Sequence, residues 1–107
     1  MTRGALYRVR HPSGDPKRAR VFVVAGRRQV IESSYSSVIC APVYSSRGGS
    51  ASEVDVGPEQ GLKHASAIHC DALMSIPKSA LTDYVGSLAP SLLARFDTAL
   101  RVALELD

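Results

Sequence analysis

Apolar and polar residues alternate at the start of the chain and recur at helical spacing at its end. In "ALYRVR" (Ala5–Arg10), Ala5, Tyr7 and Val9 alternate with Leu6, Arg8 and Arg10, the period-two pattern of a half-buried strand. "HPSGDPKRA" is a loop punctuated by Pro12, Gly14 and Pro16. The β-branched and aromatic run "RVFVV" reads as a buried strand. "AGRRQVIESS" is polar and poorly periodic, an excursion with room for a helical turn. "SSVICAPV" is a third strand, ended by Pro42 or just beyond it. "YSSRGGSAS" is loop by composition, "SEVDV" a short alternating strand, and "GPEQGLKHAS" a turn-rich connection. "AIHCDALMSIP" has strand character broken near Pro77, and "LTDYVGSL" is a further extended piece. From Pro90 the period changes. Leu92/Leu93, Phe96, Ala99/Leu100 and Ala103/Leu104 form one apolar helical stripe, with Pro90 suited to the first helical position. The expected architecture is mainly β: four to six short strands in a small barrel or curled sheet, with an amphipathic C-terminal helix packed on it.

Composition narrows this picture. A chain of 107 residues, 45% hydrophobic and 21% charged, is expected to form one globular domain over 1–107, with a core that needs neither disulfide nor metal. The N-terminus lacks the apolar segment of a secretory signal, and no run approaches the roughly 18 apolar residues of a membrane span. A cytoplasmic location and no membrane partner are therefore expected. Cys40 and Cys70 lie in apolar runs without CxxC spacing and read as reduced core thiols. His69 and Cys70, as strand neighbours, would point to opposite faces and could not act as a thiol–imidazole pair.

Charge adds an asymmetry. Residues 1–28 carry eight Lys/Arg against Asp15 alone, a balance of +7; the rest carries five bases and nine acids, a balance of −4. A basic end on a mildly acidic body is the outline of a polyanion-binding surface, although a solvated basic face has the same composition.

Six pieces in order, "RGALYRV", "RARVFVV", "SVICAPVYSS", "QGLKHAS", "SAIHCDALMSI" and "LTDYVGSLAPSLLARFDTAL", resemble the MazF/PemK family of bacterial toxin–antitoxin endoribonucleases over nearly the whole chain. The resemblance implies a CcdB/PemK-type, SH3-like barrel, a homodimer, single-stranded RNA as substrate and an acidic antitoxin as partner. It also implies site residues. The family's arginine at the start of the second strand falls on Arg20, with Val21 where the family has Pro. The acid a few positions earlier falls on Asp15, in a loop whose chemistry differs from the family's. The Pro-x-Thr-Ser motif becomes Pro42, Val43, Tyr44 and Ser45, so Tyr44 replaces the threonine. The Arg-Cys-Asp segment becomes His69, Cys70 and Asp71.

These residues suit RNA transesterification, in which the 2′-OH attacks the adjacent phosphorus. That reaction needs a base, an acid for the leaving 5′-oxygen and donors on the phosphorane. It needs no metal or other cofactor, and the scattered acids and the histidines His11, His64 and His69 lack metal-ligand spacing. Arg20 offers a planar fork for two non-bridging oxygens; without the resemblance it would read as a strand-end arginine in solvent. His69 can carry a proton, or serve as a hydrogen-bonded barrel histidine. Asp71, on the same strand face, would orient it or contact a base. His11 is a second candidate acid. Tyr44 and Ser45 could bind phosphate, Tyr44 could stack on a base, and Lys17 and Arg18 would touch backbone phosphates. Two other readings share the barrel: a CcdB-like gyrase-binding toxin, and a non-catalytic RNA- or antitoxin-binding relic.

Overall fold

The computed structural model describes residues 1–106. Among these, seven strands form a single antiparallel sheet: β1 (Ala5–Val9), β2 (Arg20–Val24), β3 (Ser37–Tyr44), β4 (Glu53–Val56), β5 (Ser66–His69), β6 (Met74–Pro77) and β7 (Asp83–Ser87). Helix α1 (Arg28–Glu32) is little more than a turn, and α2 (Pro90–Leu104) closes the fold. The sheet runs β4-β5-β3-β2-β1-β7, with β6 also on β3.

Strand β3 explains how this sheet curls. One edge pairs with β2 throughout Cys40–Val43, whereas the other edge is divided. Its first half, Ser37–Cys40, pairs with β6, and its last residues, Val43 and Tyr44, pair with β5. The break between β5 and β6 is a 3₁₀ turn at Cys70–Ala72, not Pro77 as the sequence pattern suggests; Pro77 pairs with Ser37 as the last residue of β6. As the sequence allows, β3 ends just beyond Pro42. Pro42 sits opposite Phe22 and the strand continues to Tyr44.

Because the sheet folds over, both faces of its central strands are covered. Leu6, Val23, Ala41, Val43, Ile68 and Phe96 belong to one apolar cluster, beneath α2. Ala5, Tyr7, Phe22, Val24, Val38 and Cys40, their neighbours in alternation, belong to a second. Strand β1 is therefore buried on both faces over Ala5–Tyr7 rather than half-buried, and only Arg8 and Val9 emerge. Helix α2 begins at Pro90 as its stripe implies, without a side-chain cap at Ala89, and buries Phe96 and Ala99 fully.

Two glycines let a short 3₁₀ turn at Pro58–Gln60 close against β7. Gly61 has φ +93°, and a Cβ there would stand 2.3 Å from the Val85 carbonyl oxygen; a Cβ on Gly86 would stand 2.1 Å from that of Gln60. Only hydrogen side chains allow this approach of backbone to backbone. The contact pins the β4–β5 connection, which carries His64, to the far edge of the sheet.

Candidate active site

The β2–β3 register that pairs Val21 with Val43 sets Arg20 beside Tyr44. The Arg20 guanidinium lies over the tyrosine ring, its carbon 4.3 Å from the centroid. A cation over an aromatic face is attracted by the ring quadrupole. Tyr44 in turn pairs with Ala67 of β5, two residues from His69. The two rings meet edge to face, with centroids 4.8 Å apart. Arg20, Tyr44 and His69 thus form one continuous stack across three adjacent strands.

One nitrogen of His69 is hydrogen-bonded and the other is open. Nε2 lies 2.9 Å from the Ser46 carbonyl oxygen, which can only accept, so Nε2 carries the proton. Nδ1 then holds the free lone pair of the neutral ring. It faces Glu53 Oε2 at 4.0 Å, a cross-strand neighbour by the β4–β5 register. A proton arriving at Nδ1 would make an imidazolium beside this carboxylate. The other Glu53 oxygen accepts the Gly48 N–H at 2.9 Å, so the same residue ties down the loop that presents Ser46. Glu53 and the Ser46 carbonyl are not evident in the sequence. "SEVDV" reads only as an alternating strand, and the partner of Glu53 depends on strand register.

The remaining candidates fall into separate groups. Asp71 is not on the strand face of His69. The chain turns into the 3₁₀ helix after His69, and Asp71 instead accepts a hydrogen bond from Ser52 Oγ at 2.5 Å. The carboxylate that faces the imidazole is that of Glu53, at 4.0 Å, and not that of Asp71. Asp15 caps the one-turn 3₁₀ helix Pro16–Arg18, accepting from the Lys17 N–H at 3.0 Å, which places Lys17 and Arg18 on an exposed ledge just before Arg20. His11 is held within its own loop: its Nδ1 accepts the Ser13 N–H at 3.2 Å. Ser45 joins Arg20, Val43, His64 and Ser66 in lining a shallow cleft of about 200 Å³. His64, which reads as an exposed turn residue, is exposed but faces this cleft.

The two thiols take no part. Cys40 and Cys70 are free and buried, one in each apolar cluster. Burial pushes the Cys40 thiol up to about 12. Burial, with the Asp71 charge second, pushes Cys70 up to about 11. Neither supplies a thiolate near neutral pH. Among the described residues no three His, Cys, Asp or Glu side chains come together as a metal site. No helix there is long and apolar enough to cross a membrane.

A curled antiparallel sheet closed by a C-terminal helix, with an arginine at the foot of a basic loop, defines a small barrel-like protein with one charged candidate site. The chain matches the family model of the PemK-like, MazF-like toxin of type II toxin-antitoxin system over residues 2–104 and belongs to that family. Among solved structures it resembles the Mycobacterium tuberculosis toxin MazF-mt6, with 26% identity, coverage of 96% of this chain and 98% of that one, and a TM-score of 0.82. An endoribonuclease in complex with its cognate antitoxin from a mycobacterial species superimposes with a TM-score of 0.84 at 23% identity, covering 100% and 97% of the two chains. A MazE–MazF complex from Deinococcus radiodurans shares the fold at 18% identity, with coverage of 100% and 97% and a TM-score of 0.78. No curated protein sequence matches the chain.

Proposed function

We propose that this toxin is an endoribonuclease that cuts single-stranded RNA without a metal ion. The 2′-oxygen loses its proton and bonds to the neighbouring phosphorus. The bond from phosphorus to the 5′-oxygen breaks, and that oxygen takes up a proton. The products end in a 2′,3′-cyclic phosphate and a 5′-OH. The observation that carries this reading is the Arg20–Tyr44–His69 stack at the foot of the basic loop.

In this reading Arg20 holds two non-bridging oxygens with its fork, which lies over the Tyr44 ring. Negative charge grows on those oxygens as the phosphorane forms, so a fixed donor stabilises the transition state more than the ground state. His69 carries the proton through Nδ1, since Nε2 is bound to Ser46, and Glu53 steadies the imidazolium. Ser45 donates its hydroxyl within the Arg20 cleft. Lys17 and Arg18 attract the backbone on either side. His11 and Asp15 shape the loop, and Asp71 fixes Ser52, the residue before Glu53.

The same reading places the toxin in the cytoplasm as a homodimer held by an acidic antitoxin. Support for the dimer comes from an apolar groove of about 600 Å³ between α2 and the outer face of β3, lined by Ile39, Leu73, Leu100, Leu104 and Leu106 among others. Ile39 and Met74 are 48% and 45% exposed beside it, which is apolar surface suited to a second copy. The deciding experiment is incubation of purified toxin with RNA in EDTA. Discrete cuts ending in cyclic phosphate are expected. Intact RNA with inhibited gyrase would assign the fold to gyrase poisoning, and intact RNA with retained binding would make it a non-catalytic RNA binder.

A further inference from the structure

Arg8 stands where three clefts meet. The first is the cleft beside Arg20, whose wall also includes Arg8, Ala19 and Lys63. The second, about 410 Å³, is lined by Arg8, Arg10, Asp15, Lys63 and Asp83 with the loop backbone around Gly14. The third, about 370 Å³, continues past Arg8, Arg10 and Asp83 to Thr82 and Ala80. Shared walls make these one furrow, leading from Arg20 across β1 to the edge strand β7. Register places Arg8 at its middle, opposite Val21 on one side and Asp83 on the other. The Arg8–Asp83 separation is 3.9 Å with both side chains more than a third exposed, a loose pair that leaves the guanidinium free to bind elsewhere.

We propose that this furrow is a second nucleotide subsite, which takes a phosphodiester and base adjoining the one held at Arg20. It rests on the RNA-cleaving reading above. Arg8, Arg10 and Lys63 give it the sign that attracts phosphate, continuous with the charge of the catalytic loop. Its two carboxylates distinguish the ligand further. Asp83 and Asp15 would repel an acidic peptide laid along the furrow, whereas they can accept from the exocyclic amino groups of nucleobases. The Thr82 hydroxyl both donates and accepts. Tyr44 lies outside the second and third clefts, and no aromatic residue lines them, so a base there would be read at its edge rather than by stacking.

The probe is an oligoribonucleotide spanning a cut made by the toxin itself, with 2′-deoxyribose at the cleaved nucleotide to block reaction. It is used in minimal form and extended at either end. Extension on one side should tighten binding roughly tenfold, through added phosphate contacts. The Arg10→Ala variant changes one exposed side chain that lies outside the Arg20 cleft, and an unchanged melting curve checks its fold. It should remove that gain and lower the salt slope by about 0.7 per lost phosphate contact, while cutting the minimal all-ribose oligonucleotide within about twofold of the wild-type rate. If wild type cuts RNA but gains nothing from either extension, or if the variant keeps the gain, the subsite is overturned and the nuclease stands. If the variant binds all oligonucleotides normally and loses only an acidic antitoxin peptide, the furrow is a protein-docking site instead. RNA that is neither bound nor cut would remove both readings.

Discussion

The arginine at position 20 is set by three simple facts: it opens a buried strand, it follows a rigid turn, and a tyrosine ring lies under it. None of these holds it in the fold, because its side chain is exposed. Arg20→Ala should therefore leave thermal stability nearly unchanged and lower single-turnover cleavage by about 10²–10³-fold, the usual effect of losing one preorganised donor. Arg20→Lys should recover little, because a point charge cannot hold two oxygens in one plane or stack as well on Tyr44. A variant with Ala at this position that cuts RNA within a few-fold of wild type would remove Arg20 from the reaction. His69 calls for a different readout, since the Ser46 and Glu53 contacts also give it a structural role. His69→Ala should slow single-turnover cleavage at least about tenfold and flatten one limb of its pH–rate profile. A slower enzyme with an unchanged profile would make His69 a positioning residue, and His11 the next candidate for the proton.

At the scale of elements, burial of the two thiols has a measurable consequence. Cys40 on β3 and Cys70 just after β5 bind their protons more tightly folded than unfolded, from about 9.0 up to about 12 and about 11. A raised folded-state value means the stabilisation is complete below the unfolded value and is lost as pH rises through the folded one. Between pH 9 and 11 the unfolded chain binds fewer protons, so stability should fall with pH, by at most about 1.4 kcal/mol per unit for each thiol. Denaturant titrations at several pH values check this, and Cys70→Ala should reduce the slope. A slope unaffected by the change would mean that Cys70 is reached by water in the folded state. The same elements show what the sequence can and cannot reveal. Helix α2 was legible because its stripe and Pro90 are local, and β1 and β2 because alternation and β-branching are local. The split of β3 between two partners was not, since "AIHCDALMSIP" is apolar on both sides of the turn at Cys70. The turn shapes the site as well. Asp71 follows His69 by two residues and would share its face on a continuous strand, but the turn sends it to Ser52. Glu53, distant in sequence, is the carboxylate that the β4–β5 register sets opposite His69. Arg20, Tyr44, Ser45 and His69 could be picked out by resemblance, whereas their order in the stack depends on which strands are neighbours.

For the whole molecule, the two uncovered surfaces differ in kind and lie on different parts of the fold. One is the apolar groove between α2 and β3, suited to a second copy. The other is the basic loop with Lys17, Arg18 and Arg20, suited to a polyanion. A toxin must be silenced by its antitoxin, and an acidic tail laid over the basic loop would compete with RNA for the same charges. Such a tail is disordered when free and loses conformational entropy on binding, but long-range attraction speeds its arrival. Association should therefore be fast and strongly salt-dependent. Raising salt from about 50 to 200 mM shortens the screening length and should slow association far more than dissociation. Light scattering should give a dimer at micromolar concentration, and Ile39→Glu should shift it toward monomer by placing a charge in the apolar groove. Stopped-flow binding of the antitoxin peptide should show the salt effect in wild type and lose most of it in the Lys17→Ala/Arg18→Ala variant. If the variant associates at the wild-type rate at every salt concentration, the tail approaches by another surface, and the basic loop serves RNA alone.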